Sequence, residues 1–513
     1  MARQIERKRN LRFKKAPQYI AQARARSVRK VGSAGPDGAM IGAMGNRTMD
    51  LHHLGAADLC AAFASRQVSP VEVAQSALAH IARWEPKLNA MFLVQAEGAL
   101  VQARAAEARW RQGAPLSALD GVPVTIKENI HTKGDPAPIG TAANKGLPNA
   151  TADAPPAARV REAGCVILGK TTMPDYGMLS SGLSSIHGIT RNPWRLDRNT
   201  SGSSSGAGAA AAAGYAPLNL GTDIGGSVRL PATHCGLFAL KPSLGRVPVY
   251  PPYLGRVTGP MTRTVRDAAM LMNVLSRPDA RDFMNLPYDA RDYTAGLEGL
   301  QAKGLRVGLL TDMKAGLPVQ AEIRAAARAA AKALEAEGAV VEEMASFLTP
   351  EMLDGMSRFF EARSHNDFLQ LPPERQQQVL PFIAEWCTWR AGKFSGRDVM
   401  AAYGQVMAMR EAAVAACQPY DLVLSPTSPI LPYEAGLACP GNDPHDALPH
   451  IAFTVPYNMS EQPAASINWC ASQDGLPIGL QIVGHRFEDH LVLRAARLIE
   501  KLRPAQLPWP SPE

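Results

Sequence analysis

Paired cysteines are missing from this chain of 513 residues. Its seven cysteines stand at 60, 165, 235, 387, 417, 439 and 470, with no C-x-x-C pair among them. The odd number and scattered spacing argue against a disulfide framework or a zinc site and point to a reducing, cytoplasmic setting. Long apolar runs are missing too. No stretch approaches the roughly 18 residues that cross a bilayer, so no membrane span is expected. The alanine-rich run at 207–213 is too short and follows a polar Ser/Gly loop. The absence of a G-x-x-x-x-G-K-[ST] loop argues against nucleotide hydrolysis, and none of the eleven histidines lies in an H-E-x-x-H pattern, so no metal is expected.

A basic surplus is also absent once the first 30 residues are set aside. That segment holds eleven Lys/Arg and one acid, Glu6, for a net +10, and the remaining 483 residues net −2. The overall +8 therefore belongs to the terminus. Such a segment can bind nucleic acid or an anionic membrane, but charge alone is weak evidence for either, and no nucleic acid is expected. Residues 1–48 read as a basic, disordered extension, or as sequence upstream of a start at Met40, Met44 or Met49. The segment lacks the apolar region of a secretory signal and has the Arg-rich, acid-poor character of a transit peptide. An S-x-x-K match at Ser27–Lys30 falls inside it and reads as coincidence.

What is present from about Thr48 onward is an alternation of short apolar strands with helical patterns. Ser69, Pro70 and Glu72 spell a helix start with a capping box, followed by apolar residues at helical spacing from Val71 to Ile81. Ala96–Trp110 and Ala207–Ala213 read as helices, and Thr264 to Asp267 as a second capping box. Val122–Lys127, Cys165–Leu168 ending at Gly169, Ala216–Leu220, Leu305–Leu310, Ala339–Val341, Leu422–Leu424 and Leu480–Val483 read as strands. A helix over 319–337, irregular helices over 365–400 and a terminal helix over 491–502 complete the pattern. It predicts one large α/β domain over 49–513, a central sheet with helices on both faces, and no internal repeat.

Three segments carry residues that chemistry uses and a core does not need. In Gly221-Thr222-Asp223-Ile224-Gly225-Gly226-Ser227 the glycines let the backbone turn sharply, and Ser227 follows where N–H groups converge. On its own the segment equally spells a plain glycine turn. Ser201-Gly202-Ser203-Ser204-Ser205-Gly206 reads as a loop that caps a helix. It also matches G-x-S-x-G around Ser204, but that motif needs a preceding strand, and Arg195–Thr200 lacks a strand pattern. Lys127 ends an apolar strand. It is a paired surface lysine if exposed, and a base if burial lowers its pKa. His234 is only seven residues from Ser227, which establishes no Ser–His pair, and Cys235 reads as a small buried residue.

Taken together and in order, these segments resemble the amidase signature family. The family pattern G-[IV]-P-x-x-[IV]-K-[DE]-N is similar to Gly121–Asn129. Its Gly/Ser loop is similar to Ser201–Gly206, and its G-T-D-x-G-G-S-[IV]-R to Gly221–Arg229. Val166–Thr171, Met173-Pro174, Leu240–Pro242 and Gly479–Gly484 agree, so the likeness spans about 49–505. It implies the family's fold, a single domain with a mixed central sheet. It implies a Ser–cisSer–Lys triad: Ser227 attacks an amide and forms an acyl-enzyme, Ser203, on a cis peptide, relays the proton, and neutral Lys127 accepts it. N–H groups around Ile224, Gly225, Gly226 and Ser227 form an oxyanion hole, Asp223 and Arg229 brace the loop, and Gly177 and Met178 line the substrate cleft. One departure is that Ser201 and Ser205 stand where the family loop often has glycine.

The resemblance implies an amide hydrolase, or amidase, that makes a carboxylic acid and ammonia or an amine from a small-molecule amide, with no cofactor, as a monomer or a homodimer. Two other readings are a glutaminase subunit of a tRNA-dependent amidotransferase and a non-catalytic protein acting through the basic segment.

Overall fold

The computed structural model describes residues 50–512. The basic segment 1–48, its Ser27–Lys30 match and its candidate starts lie outside them.

An eleven-stranded sheet runs through the described residues. From edge to edge its strands are Met91–Val94, Val166–Thr171, Pro123–Lys127, Leu218–Asp223, Val257–Thr262, Phe238–Lys241, Ala464–Ala471, Pro477–Val483, Leu422–Pro426, Arg306–Leu309 and Val340–Glu343. Pro123–Lys127 pairs in parallel with both its neighbours, and Arg306–Leu309 does the same. The remaining pairs are antiparallel, so the sheet is mixed.

Alternation along a strand shows how both faces are covered, because successive side chains point to opposite sides. Ile167 joins a cluster with Ala157 and Val160 of the Pro155–Glu162 helix and Leu271 of the Val265–Leu275 helix. Val166 and Leu168, its neighbours in the strand, join a second cluster with Ile81 and Trp84 of the Pro70–Leu88 helix and Ala99 and Ala103 of the Ala96–Arg111 helix. The capping box at Ser69 and Glu72 forms as its residues predict. The Ser205–Ala213 helix is buried on every side, which is why it is built almost entirely of alanine and glycine.

Several elements depart from the sequence reading. Gly169 does not end its strand, which runs on to Thr171. A Cβ there would sit 2.0 Å from Leu93 O, so this glycine serves the close approach of the neighbouring strand. Arg195–Asn199 is a strand after all, paired with Arg191–Asn192 in a small ladder apart from the main sheet. Its polar residues carry no apolar alternation because that ladder buries no apolar face. Only half of the second capping box forms. Thr264 accepts from Asp267 N, while the Asp267 carboxylate accepts from Ala57 N and caps the Ala56–Ala64 helix instead. The stretch read as irregular belongs to long helices, Pro350–Leu369 and Gly396–Cys417, separated by short Pro-started turns of helix. Among the described residues no helix is long and apolar enough to cross a membrane, and each of the seven cysteines is free.

Candidate active site

The strand Pro123–Lys127 lies inside the sheet, and all five of its residues are buried. Lys127 at its end has no exposed surface. Its Nζ lies 2.8 Å from Ser203 Oγ, 3.0 Å from Ser204 Oγ and 3.0 Å from Thr222 Oγ1, and it makes no ion pair among the described residues. Burial brings the pKa down to about 7; Asp223 and Glu128 act the other way, and Arg256 adds to the lowering.

The three hydroxyls are not equivalent. Ser204 donates to Thr222 O at 3.1 Å and accepts from Thr222 N at 3.3 Å, so its proton is committed to the backbone. Thr222 Oγ1 also accepts from Asn129 Nδ2 at 3.1 Å. Ser203 has no partner but Lys127 among the described residues. A neutral amine keeps one lone pair, and the Ser203 hydroxyl is the donor free to meet it. The Gly202–Ser203 peptide bond is cis. Ser201 carries φ +59, so the loop holds a left-handed non-glycine residue at one of the two outer positions.

Ser227 belongs to the turn between the Leu218–Asp223 strand and the Arg229–Cys235 helix. Asp223 shapes that turn. Its Oδ1 accepts from Gly226 N at 2.8 Å, and its Oδ2 accepts from Val228 N at 3.1 Å. Arg229, wholly buried, donates from Nη2 to Oδ1 and from Nε to Oδ2, both at 3.0 Å. Asn458 Nδ2 adds a further bond to Oδ1 at 2.8 Å. Burial alone pushes the Asp223 carboxyl up; the Arg229 guanidinium and Asn458 override it and hold it well below the usual carboxylate range.

This geometry revises one expected role. The Gly226 N–H is held by Asp223 and is not left to face a substrate. The N–H groups of Ile224, Gly225 and Ser227 have no acceptor among the described residues. Ser227 is half-buried, and its hydroxyl has no hydrogen-bond partner among the described residues. Its carbonyl accepts from Ser204 N at 3.2 Å, which ties the two serine loops together.

Ser227 opens into a narrow pocket shared with Gly177, Ile224 and Gly225. Met178, Leu179, Phe360, Trp386, Leu448 and Ile451 give it an apolar wall. Gly177 also abuts Ser203, since a Cβ there would lie 3.2 Å from Ser203 Oγ. Met178 and Arg363 line both this pocket and a larger neighbouring cavity of about 540 Å³ that reaches Asn129, Thr222 and Arg256.

Sequence reasoning missed several of these groups. Thr222 and Asn129 stand inside the quoted motifs and were legible there, one beside Asp223 and the other two residues past Lys127. Glu128 is fully buried, accepting from Gly140 N at 2.8 Å and pairing with His187 Nε2 at 2.9 Å, a contact across 59 residues with no local signal. Ser204, the centre of the G-x-S-x-G match, does follow a short strand, but its hydroxyl is buried and committed. His234 is buried, with neither ring nitrogen hydrogen-bonded, and burial pushes its pKa down to about 4. Cys235 is buried, and burial pushes its thiol up. Asp50, His52 and His53 bring ligand atoms within 4.8 Å of one another away from this site, yet Arg263 Nη1 already lies 3.3 Å from His53 Nδ1, a poor neighbour for a metal cation.

Comparison with known proteins agrees with this arrangement. A family model described as Amidase matches residues 72–493. Among curated proteins, the glutamyl-tRNA(Gln) amidotransferase A subunit of Chloroflexus aggregans is 33% identical over 488 residues, covering 88% of this chain and 97% of that one. Its counterpart in Roseiflexus castenholzii is 34% identical over 485 residues, covering 88% and 96%. Among solved structures, a bacterial aryl acylamidase of the amidase signature family aligns with a TM-score of 0.82 at 30% identity, over 89% of this chain and 97% of that one. A 6-aminohexanoate cyclic dimer hydrolase aligns with a TM-score of 0.79 at 30% identity, over 89% and 98%.

Proposed function

This chain belongs to the amidase signature family and hydrolyses amide carbon–nitrogen bonds; we propose that it does so through a Ser227 acyl-enzyme, with Ser203 and Lys127 as the proton relay. The observation that carries this reading is the Lys127–Ser203 contact of 2.8 Å, made by a buried amine without an ion-pair partner. As the substrate carbonyl seats, the Ser227 hydroxyl turns to Ser203 Oγ and gives up its proton, while Ser203 passes its own proton to the amine. Ser227 Oγ attacks, and the developing oxyanion accepts from the open N–H groups of Ile224, Gly225 and Ser227. The intermediate collapses when Ser203 hands a proton to the leaving nitrogen and takes one from Lys127. Water then enters by the same relay in reverse and releases the acid. Asp223 and Arg229 hold the turn and do not exchange protons.

A second reading, a glutaminase subunit that feeds ammonia to a partner, is favoured by the names of the curated relatives. Against it stands the pocket at Ser227, whose wall is apolar and whose lining contains no carboxylate for an α-ammonium group. Ammonia and amine release from a panel of simple amides and from glutamine decides between them. Turnover of aryl or alkyl amides by the purified chain supports the amidase reading, and turnover of glutamine alone, dependent on a partner, overturns it.

A further inference from the structure

Arg363 is a cation without an anion. It sits on the Pro350–Leu369 helix, half-buried, and makes no hydrogen bond or ion pair among the described residues. Its Nε is buried and unpartnered. Its guanidinium lies 4.8 Å from the centre of the Tyr253 ring and 5.9 Å from that of Phe360. Arg256 lies against the same Tyr253 ring at 5.3 Å, and its one hydrogen bond goes to Pro251 O at 3.3 Å. Two guanidiniums thus share one aromatic ring with no carboxylate between them. Burial lowers the pKa of Arg256, and the charge of Arg363 lowers it further. Asp367 lines the same cavity but is exposed and pairs with neither arginine.

Proteins rarely bring two cations together in a partly buried place without a counter-charge, because their repulsion is strong where water is scarce. A tyrosine ring stabilises a guanidinium by its face but supplies no hydrogen-bond acceptor. The missing acceptor must come from outside the chain. Arg363 stands at the junction of the Ser227 pocket and the larger cavity, so an anion held there lies within one molecule's reach of the reacting serine.

We propose that Arg363 and Arg256 form an anion subsite of the cleft, and that the substrates of this enzyme are amides carrying a carboxylate away from the scissile bond. The proposal rests on Ser227 as the reacting group. The apolar pocket wall takes the hydrocarbon part of such an amide, and the planar guanidiniums take the carboxylate.

The test is equilibrium binding to Ser227→Ala protein, which separates affinity from turnover. Two matched pairs place the carboxylate on either side of the amide: succinanilic acid against butyranilide, and 4-acetamidobenzoate against acetanilide. In at least one pair the charged amide binds about ten- to a hundredfold more tightly at low salt. That ratio shrinks in 0.5 M salt, at which the screening length is only about 4–5 Å, and shrinks again in Arg363→Gln, with Arg363→Lys retaining part of it. No charged-over-neutral preference in either pair overturns the proposal, as does a preference that survives both Arg363→Gln and Arg256→Gln. Hydrolysis by the Ser227 protein is followed in parallel. Amides that bind with the expected preference but are never cleaved count against Ser227 chemistry and leave the subsite standing.

Discussion

Lys127 Nζ and Ser203 Oγ lie 2.8 Å apart in a buried compartment where the amine meets hydroxyl groups only. An ammonium in such a place would have three acceptors and no counter-charge, and an amine has a donor waiting. The arrangement therefore favours the neutral form that a base requires.

The acid limb of kcat/KM reports this group. Activity rises as pH climbs through about 7, where Lys127 loses its proton. Lys127→Ala lowers kcat/KM by about 10²–10⁴-fold and abolishes that limb. Stability moves with the same group. Its folded pKa is lowered, so between about 7 and the ordinary lysine value near 10.4 the unfolded chain holds a proton that the folded chain has released. The folded wild type is accordingly penalised most below pH 7 and relieved as pH rises. Denaturant unfolding of wild type and Lys127→Met at pH 6 and pH 9 should show the difference shifting toward the wild type at the higher pH. A flat difference means the amine is charged when folded.

A fluorophosphonate labels the attacking serine. The modified peptide contains Ser227, and Ser203→Ala slows labelling without moving it. Mass-spectrometric mapping to Ser203 or Ser204 would reassign the nucleophile.

Arg229 is valuable through what its loss leaves behind. Arg229→Leu strands the Asp223 carboxylate in the interior and costs about 3–5 kcal/mol of stability, seen as a lower denaturant midpoint. Arg229→Lys recovers only part, since one ammonium cannot span both carboxylate oxygens and the Asn458 and Gln481 side-chain oxygens that the guanidinium reaches. A change within about 0.5 kcal/mol, the ordinary scatter of surface substitutions, would show that the turn is held by other means.

Gly226→Ala tests the turn from the backbone side. Gly226 has φ +132, and a Cβ there would meet Thr454 Oγ1 at 2.5 Å. The variant loses about 1–3 kcal/mol and most of its turnover, measured by thermal unfolding and by amide hydrolysis. Retained turnover would show that the N–H groups beside Ser227 need not be held in this register.

Much of the chemistry was legible because it is local. Lys127, Ser203 and Ser227 each stand in a short motif, and glycine and strand patterns around them survive reading in one dimension. What was not legible is what a chain does at a distance. Asp267 spells a capping box with Thr264 but caps a helix 210 residues away. Gly226 reads as an open N–H until Asp223 is seen to hold it. Arg256 and Arg363, 107 positions apart, share a ring that neither announces. The strand Arg195–Asn199 escaped because it buries no apolar face, and hydrophobic periodicity is the signal by which strands are found.

The groups proposed to break the bond and the wall that meets the substrate come from different stretches of the chain. Lys127, Ser203 and Ser227 lie within the first half, on or beside the sheet, whereas Phe360, Arg363, Trp386, Leu448 and Ile451 come from the helices and loops that follow. Such a division lets one part diversify while the other stands still. Exchanging residues 350–451 between relatives is then a way to change which amide is accepted without disturbing how it is cut.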